Sequence, residues 1–341
     1  MSHRPAKLDQ EKPEPLPRQP GALRKRMHEA CRRKSMARST ESIYWGWIRR
    51  FVRHHDMAHP EDLDEEAIRE YLNSLATDRN VAASTQNQAL NALVFLYKHV
   101  LDTPLEDFSA FIRARKPRRL PVVLSSREAR GMLNMMEGTS GLIARLLYGT
   151  GLRLGEALRL RIKDLDFEYA LVHVCAGKGE KDRKTMLPER LKTSLKRHLA
   201  LVKHRHEADL MEGAGQVLLP YAFDRKSRSA ATDWCWQWVF PSSRLTILPE
   251  SGQITRFHIS PSSVQKAVKT AARQCGMTKR VTCHTLRHSF ATHLIEGGYD
   301  IRTVQELLGH KDLRTTMIYT HVLGRGLHVR SPLDSQQPTY S

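Results

Sequence analysis

No apolar run in this sequence approaches the roughly 18 residues that a membrane span requires, which excludes a transmembrane protein. Cysteine is scarce as well: the five cysteines are odd in number, scattered, and never arranged as C-x-x-C. We therefore expect reduced thiols and neither a disulfide framework nor a zinc ribbon. The first 20 residues are polar, rich in proline and without a recognisable signal peptide, so a cytoplasmic protein is expected.

Acidic residues are also few in comparison with basic ones. The 341-residue chain has 36 Asp and Glu against 55 Lys and Arg, which gives a formal net charge of +19 and an isoelectric point near 10.0. Such an excess predicts a polyanionic partner, either nucleic acid or an anionic membrane surface. The basic residues are not confined to one amphipathic helix, which argues against the membrane. The length suggests about two domains.

Helical patterns dominate the first third of the sequence. Apolar pairs recur at four-residue spacing in three or four segments between residues 23 and 101, which predicts a small helical bundle. The residues that favour helix N-termini place the starts of its later helices at Ser39 or Thr40, at Pro60 and at Ser84.

The second half contains the only clear β pattern. Residues 171–175 and 183–187 flank a polar tip with two glycines, which predicts a hairpin. A capping box at Ser125 begins a helix expected to reach Tyr148, and helices resume after Pro188. The predicted fold class is therefore mainly α with a small antiparallel β-sheet, arranged as two domains.

A linker is predicted at residues 113–121, where two prolines and five basic residues occupy nine positions. This segment is either a solvated linker or a basic strap that lies along a phosphate backbone. The strap would contact DNA through Arg113, Arg115, Lys116, Arg118 and Arg119. The predicted segments are a disordered lead-in (1–22), a helical domain (23–112), the linker (113–121), a second domain (122–330) and a C-terminal tail (331–341).

Six polar positions in the second domain invite a joint interpretation: Arg153, Lys178, His284, Arg287, His310 and Tyr319. Taken singly, each has an ordinary structural explanation, such as a surface ion pair or a half-buried core tyrosine. Arg153, however, follows the turn at Gly151 between two apolar helical stretches, where a buried guanidinium requires an anion. His284 and Arg287 lie three residues apart and share a helix face. Together with Arg153 they would form a cage for one phosphodiester.

A zinc site is the alternative interpretation of His284 and His288, whose spacing matches that of a zinc-binding helix. Thr285 stands where the H-E-x-x-H motif has its carboxylate, and Arg287 between the two imidazoles would repel a divalent cation. We therefore predict neither a metal nor another cofactor.

Four motifs, in order, carry a family resemblance. They are Thr150-Gly-Leu-Arg153-Leu-Gly-Glu156, Gly177-Lys-Gly179, His284-Thr-Leu-Arg287-His-Ser-Phe-Ala-Thr and Leu308-Gly-His310 followed by Thr315-Thr-Met-Ile-Tyr319. The set resembles the tyrosine recombinases over the whole second domain, and the first domain matches the family's SAM-like core-binding domain in size and position. The resemblance implies a two-domain DNA clamp whose catalytic domain cleaves and rejoins DNA through a 3′-phosphotyrosine intermediate.

The resemblance also implies a role for each polar position. Tyr319 would be the nucleophile, and Arg153 and Arg287 would bind the non-bridging phosphate oxygens. Lys178 would protonate the departing 5′-oxygen. His284 would act as general base or orient the tyrosine, and His310 would be a further donor to the phosphate. A phenol is a tolerable leaving group, so the adduct can be reversed without ATP or a metal.

Within that family the sequence is most similar to the integron integrases. The supporting stretches are residues 146–150, 161–167, 238–241, 300–310 and 329–334, together with an inserted segment at about 209–243. This likeness implies excision and insertion of gene cassettes at attachment sites, including sites folded from single strands into hairpins. It also implies a bacterial, nucleoid-associated enzyme and a synaptic homotetramer joined through the C-terminal tail.

The inserted segment contains tryptophans at alternate positions, 234, 236 and 238. An extended strand would place the three rings on one face. They would form either a small satellite core or a platform on which unpaired bases stack. The resemblance points to Trp236, Pro249 and His258 as base-contacting residues, with Phe257 standing where family members often carry a second histidine.

Two other functions are open at this level. A non-catalytic DNA-binding protein on a decayed recombinase scaffold is one, although the presence of all six polar positions argues against it. A relaxing topoisomerase that shares the catalytic cage is the other, and the insertion and the tail argue against it.

Overall fold

The computed structural model describes residues 21–77, 81–103, 121–175, 182–219, 227, 229–248 and 252–322. The chain forms two compact units, Met1–Arg118 and Arg119–Ser341. Several predictions lie outside the described residues: the lead-in to residue 20, the tail from residue 323, Arg113, Arg115, Lys116, Arg118, Arg119, Lys178 and Pro249.

The N-terminal unit is a helical bundle, as predicted. Its helices are α1 (Ala22–Arg33), α2 (Arg38–His54), α3 (Glu65–Thr77) and α4 (Ala83–His99). Each contributes buried side chains to one core because apolar residues recur on one face of each helix. Core members include Met27, Phe51, Ile68, Tyr71 and Leu93.

The predicted helix starts in this unit are wrong in detail. Helix α2 follows Ala37, which is extended and provides no side-chain cap, so Ser39 lies inside the first turn. Pro60 begins only a single 3₁₀ turn, Pro60–Asp62, and α3 starts five residues later. The Tyr97 hydroxyl donates to the carbonyl oxygens of Pro60 (2.8 Å) and Leu63 (3.1 Å), which fixes the chain between the turn and the helix. Helix α4 likewise starts one residue before the predicted Ser84.

The C-terminal unit is also mainly helical. The helices before its first sheet are α5 (Ser126–Asn134), α6 (Gly138–Thr150) and α7 (Leu154–Leu158), and α8 (Glu189–Met211) follows that sheet. The later helices are α9 (Pro261–Gln274), α10 (Cys283–Glu296), α11 (Ile301–Leu308) and α12 (Leu313–Val322). Helix α6 is apolar over most of its length and is central to the core of the unit.

Two small antiparallel sheets complete this unit. Strands β1 (Leu165–Asp166), β2 (Leu171–Val174) and β3 (Arg183–Met186) pair in that order, and the predicted hairpin is β2 with β3. A second hairpin, β4 (Pro241–Ile247) with β5 (Ile254–His258), was not anticipated from the sequence. The fold class, mainly α with small antiparallel sheets, is confirmed.

The helix expected from Ser125 to Tyr148 is two helices. The capping box at Ser125 and Glu128 is present, but α5 ends at Asn134 and α6 begins at Gly138. The Arg145 guanidinium donates to the carbonyl oxygens of Leu133 (2.8 Å) and Met136 (2.9 Å). These bonds join α6 to carbonyls at the C-terminal end of α5, so a side-chain contact stabilises the break between the two helices.

Within the described residues, no helix combines the length and the apolar character that a bilayer crossing demands.

Candidate active site

The turn after α6 places Arg153. Gly151 adopts a φ of +68°, and a Cβ there would lie 2.4 Å from a ring carbon of Phe290, so the turn requires glycine. Arg153 then stands at the N-cap of α7, where its backbone N–H donates to Glu156 at 2.8 Å. The Arg153 Nη1 also donates to Glu156, at 2.7 Å. The side chain of Arg153 is 38% exposed, so this guanidinium is accessible to a ligand.

Glu156 is the buried carboxylate that organises the cluster. Besides Arg153, it accepts from Arg183 of β3, at 2.7 Å from Nη2 and 3.1 Å from Nη1. The Nη1 of Arg287 lies 3.8 Å away. Burial alone would raise the pKa of Glu156, but the hydrogen bonds from Arg183 and from the Arg153 backbone lower that pKa to about 2. Glu156 is therefore ionised at neutral pH and keeps the arginines in place.

Arg287 lies in α10 and is only 1% exposed. Its Nη1 donates to the carbonyl oxygen of Gly151 and its Nη2 to that of Leu308, both at 2.7 Å. Its Nη2 also donates to Nε2 of His310 at 3.0 Å. Burial and the positive charge of Arg153 lower the pKa of Arg287 to about 10, which still leaves a cation at neutral pH.

His310 follows α11 and contacts Arg287 directly. Because an arginine N–H can only donate, Nε2 of His310 accepts in this pair, and the imidazole proton lies on Nδ1, 3.0 Å from Thr316 Oγ1. Burial and the charge of Arg287 lower the pKa of His310 to about 4, so the ring is neutral. In this arrangement His310 orients Arg287, and Nε2 has no proton to offer a phosphate.

Tyr319 lies in α12 and is 2% exposed. Its hydroxyl is 3.0 Å from Nδ1 of His288, and its ring is stacked at 6.3 Å and 16° on that of His310. Burial raises the pKa of the phenol, while Arg287 and Arg153 act in the opposite direction. The hydroxyl is therefore protonated at neutral pH, in a field that favours its anion.

His284 and His288 lie one turn apart on α10, with ring centroids 4.5 Å apart in an edge-on arrangement. His284 is the more exposed of the two. Partial loss of hydration, together with Arg287 and Arg153, lowers the pKa of His284. Burial and the neighbouring His284 and Arg287 lower the pKa of His288 to about 4.

The structure thus gathers five of the six residues selected from sequence: Arg153, His284, Arg287, His310 and Tyr319. Lys178 lies outside the described residues. Strand β3, which follows it in the sequence, contacts Glu156 through Arg183. Sequence reasoning missed Arg183 and the pairing of His288 with Tyr319. The only available signal for His288 was its position next to Arg287, because its partner lies 31 residues away.

The tryptophans of the inserted segment do not form the predicted strand. Trp234–Trp236 is a 3₁₀ turn, so the three rings do not share one face of a strand. The Trp236 ring is half-buried and has Lys163 Nζ at 3.5 Å from its centroid. Trp238 is buried and lies between the Arg161 guanidinium and the ring of His258. Trp238 therefore fits the satellite-core interpretation.

Buried polar contacts hold the insertion onto the unit. Arg161 donates to the carbonyl oxygens of Trp236 (2.8 Å) and Leu218 (2.7 Å). Asp209 and Arg256 form a two-bond ion pair, at 2.6 Å for each bond, between α8 and β5. These contacts give Trp236 and the strand that carries His258 defined positions.

Among the described residues, no group of three or more His, Cys, Asp and Glu side chains could hold a metal ion.

Comparison with known proteins assigns both units of the chain to one family. Residues 123–325 match the phage integrase family, and residues 23–107 match the phage integrase N-terminal SAM-like domain. The chain is 48% identical over 303 residues to an integrase/recombinase of Escherichia coli, which covers 89% of this chain and 90% of that protein. It is 36% identical over 214 residues to tyrosine recombinase XerA of Pyrococcus furiosus, 62% of this chain and 61% of that one.

Solved structures agree in fold. The XerH site-specific recombinase bound to a palindromic difH substrate aligns with a TM-score of 0.58 at 22% identity, covering 89% of this chain and 81% of that one. A lambda integrase(75-356) dimer bound to a COC' core site aligns with a TM-score of 0.58 at 16% identity, over 91% and 98%.

Proposed function

This chain belongs to the phage integrase family and is a tyrosine recombinase, an enzyme that cleaves and rejoins DNA at specific sites, and we propose that it acts through Tyr319 as an integron integrase. The observation that carries the assignment of the nucleophile is the position of the Tyr319 hydroxyl. It is buried, lies 3.0 Å from a histidine nitrogen, and is close enough to Arg287 and Arg153 for both charges to act on its pKa.

In the first step, the Tyr319 oxygen attacks the scissile phosphorus and displaces the 5′-oxygen, which leaves a 3′-phosphotyrosine. Arg153 is the better placed of the two arginines to bind a non-bridging oxygen, because its guanidinium is partly exposed. Arg287 already donates to two carbonyl oxygens and to His310, so its contribution is a fixed positive charge near the phosphate and not a direct hydrogen bond to it. Such preorganised charge stabilises the extra negative charge of the transition state.

The departing 5′-oxygen needs a proton, and we propose that Lys178, in the segment between β2 and β3, donates that proton. The support is that β3, which leaves this hairpin, is tied to the cluster by Arg183, through Glu156 and the carbonyl oxygen of Leu307 (3.1 Å). His284, at the exposed side of the cluster, would orient the phosphate or the tyrosine. Rejoining is the reverse: a 5′-hydroxyl from a second strand attacks the adduct and releases Tyr319.

The finer assignment concerns the DNA that is recognised. Integron integrases act on gene cassettes, and the inserted segment gives this chain a surface suited to bases that protrude from a folded strand. Trp236 keeps a half-exposed ring, and His258 lies on a strand anchored by the Asp209–Arg256 pair. Pro249 would complete the set. We further propose a homotetramer in the synaptic complex and action on the bacterial chromosome in the nucleoid.

The covalent intermediate provides the decisive test. Purified protein is incubated with fragmented genomic DNA of the organism that carries the gene, denatured, and recovered with any DNA that is covalently attached. We expect wild type to yield protease-sensitive adducts at recurring sequences, whereas Tyr319→Phe yields none. Tyr299→Phe, at an exposed tyrosine outside the cluster, serves as the matched control and should retain the adduct. Adducts of equal yield with Tyr319→Phe would overturn the nucleophile assignment.

The integron assignment has its own test. A cassette-type hairpin is supplied as its top strand, as its bottom strand, or as the fully paired duplex. We expect adduct formation to favour one folded strand strongly, and Trp236→Ala to reduce that preference. Equal reaction with the fully paired duplex would remove the integron assignment while leaving the recombinase chemistry intact. Relaxation of supercoils without site preference would instead indicate a topoisomerase.

A further inference from the structure

We propose that His288 accepts the proton of Tyr319 as the tyrosine attacks DNA, and returns it when the strand is rejoined. The proposal rests on the assignment of Tyr319 as the nucleophile. It adds to the cage a base that is separate from His284 and His310.

The proposal starts from the contact between Tyr319 and His288. The distance from Oη of Tyr319 to Nδ1 of His288 is 3.0 Å; Tyr319 is buried and His288 is half-buried. The phenol is protonated, and His288 is the only hydrogen-bond partner of its hydroxyl among the described residues. The proposal uses the neutral tautomer of His288 whose ring proton lies on Nε2, in which the phenol donates to Nδ1. In that tautomer the lone pair of Nδ1 faces the hydrogen that must leave.

The other histidines of the cluster are less suitable. The ring of His310 is nearly parallel to that of Tyr319, with centroids 6.3 Å apart, and both its nitrogens are engaged, Nε2 with Arg287 and Nδ1 with Thr316. His284 touches the ring of His288 and not the phenol. His288 is thus the base in contact with the reacting atom.

The step balances without a further reactant. As the bond from Oη to phosphorus forms, the O–H bond breaks and the proton moves to Nδ1, which leaves His288 as an imidazolium. The bond from phosphorus to the 5′-oxygen breaks, and that oxygen takes a proton from Lys178. Rejoining reverses both transfers, and the phenol regains its proton from His288.

The surrounding charges explain why the proton moves only when DNA is bound. In the free enzyme, burial, His284 and Arg287 keep the pKa of His288 at about 4, so Tyr319 stays protonated and unreactive. A phosphodiester bound at Arg153 brings negative charge that offsets the arginines and stabilises an imidazolium. Bond formation to phosphorus acidifies the phenol at the same time.

The test compares His288→Asn with His288→Ala in single-turnover cleavage of the duplex recovered in the adduct selection. Asparagine can accept the hydrogen bond near the position of Nδ1 but cannot take up a proton. A proton acceptor requires both variants to lose about 10²- to 10³-fold in cleavage rate. If His288→Asn cleaves within about threefold of wild type, His288 only positions Tyr319 and the proposal is wrong.

A matched control lies on the same helix. His293 Nδ1 pairs with the hydroxyl of Tyr148 at 2.8 Å and its Nε2 with the carbonyl oxygen of Leu124 at 2.9 Å, so both ring nitrogens have partners outside the cage. His293→Asn therefore reproduces the loss of a histidine–tyrosine pair, and we expect it to leave the single-turnover rate unchanged. The unfolding midpoint of each variant is measured alongside, so that loss of folded protein is not scored as loss of chemistry.

A second substrate separates the two proton transfers. In a duplex with sulfur in place of the bridging 5′-oxygen, the leaving thiolate needs no proton. This substrate should restore cleavage by Lys178→Ala but not by His288→Asn. Restoration of His288→Asn would place its defect at the leaving group and overturn the proposal. Absence of any adduct with wild type would refute the proposed function itself, a distinct outcome.

Discussion

The two arginines of the cluster have different environments although both sit in recognisable motifs. Arg287 is buried and donates to two backbone carbonyls, whereas Arg153 is 38% exposed and donates to Glu156, which also holds Arg183. Removing Arg287 would leave buried acceptors without donors, which is costly. Removing the Arg153 side chain leaves Glu156 still paired with Arg183.

We expect Arg153→Ala and Arg287→Ala to lose cleavage alike, by at least about 10²-fold, but to differ in stability. The free energy of unfolding should fall by less than about 1 kcal/mol for Arg153→Ala, because this guanidinium is partly exposed and Arg183 still pairs with Glu156. For Arg287→Ala it should fall by about 3 kcal/mol or more. Urea denaturation of both variants checks this. Equal stability would mean that the carbonyl contacts of Arg287 contribute little.

The sequence was sufficient to select five residues of the cluster, but not Arg183 and not the contacts among the residues. Arg153 and Arg287 could be chosen because a turn glycine and a helical spacing placed them near an anion. The ties of Arg287 to Gly151 and Leu308 could not be predicted, because they join segments up to 136 residues apart. The same holds for the pairing of His288 with Tyr319.

At the scale of elements, α2 presents a polar stripe away from its core. Ser39, Ser42, Gly46, Arg49, Arg50 and Arg53 recur at helical spacing along this stripe. A Cβ at Gly46 would meet nothing within 4 Å, so packing does not require glycine in mid-helix. Within the described residues, none of the three arginines has a carboxylate partner, although Arg50 stacks on Trp47 at 4.6 Å. Small residues beside free cations suit a DNA backbone that approaches closely.

We therefore expect Gly46→Ala to have opposite effects on folding and on DNA binding. Alanine should raise the stability of the helix by up to about 1 kcal/mol. The added methyl should weaken DNA binding several-fold, because it holds the phosphate backbone away from the helix. Thermal unfolding and a fluorescence-anisotropy titration measure the two effects.

Gly131 in α5 supplies the matched control, since it too is mid-helix with open space around it. Gly131→Ala should stabilise the protein and leave DNA affinity unchanged. A Gly46→Ala variant that binds as well as wild type would exclude α2 as a close DNA contact.

The long helices and the glycine-tipped β2–β3 hairpin were predictable, and the elements of the inserted segment were not. The four-residue periodicity of the N-terminal helices and the capping box at Ser125 predicted real elements. The tryptophan alternation covered only five residues, too short to compete with the hydrogen bonds from Arg161 that fix a 3₁₀ turn there. The β4–β5 hairpin contains exposed Leu245 and Ile247, so it lacks the alternation of a half-buried strand.

In the whole molecule, the basic residues that produce the net charge of +19 have two different roles. A minority of the cations, Arg153, Arg183 and Arg287, are committed to one buried cluster with Glu156. The stripe on α2 and the predicted strap at residues 113–121 belong to the remainder, which we expect to bind phosphates in a salt-sensitive manner.

The folded state should lose stability at mildly acidic pH because of this cluster. His288 and His310 have pKa values of about 4 when folded, below the ordinary value near 6.5. Between these values the unfolded chain binds more protons, so the free energy of unfolding rises with pH, by about 1.4 kcal/mol per pH unit for each histidine at mid-range. In urea titrations from pH 4.5 to 6, His310→Gln should show a slope lower by about this amount. An unchanged slope would contradict the assigned neutral state of His310.

The hydrogen bonds from Arg287 to two backbone carbonyl oxygens affect which residues change first in related genes that no longer need to recombine DNA. When selection for recombination ends but the protein is still made, Arg153 is free to change, and Tyr319 can become phenylalanine, which keeps the packing of the buried ring but lacks the nucleophilic oxygen. Arg287 joins Gly151, Leu308 and His310, so its loss also costs folded protein. A descendant that retains Arg287 therefore reports a selected fold, and only the pair Arg153 and Tyr319 reports selected catalysis.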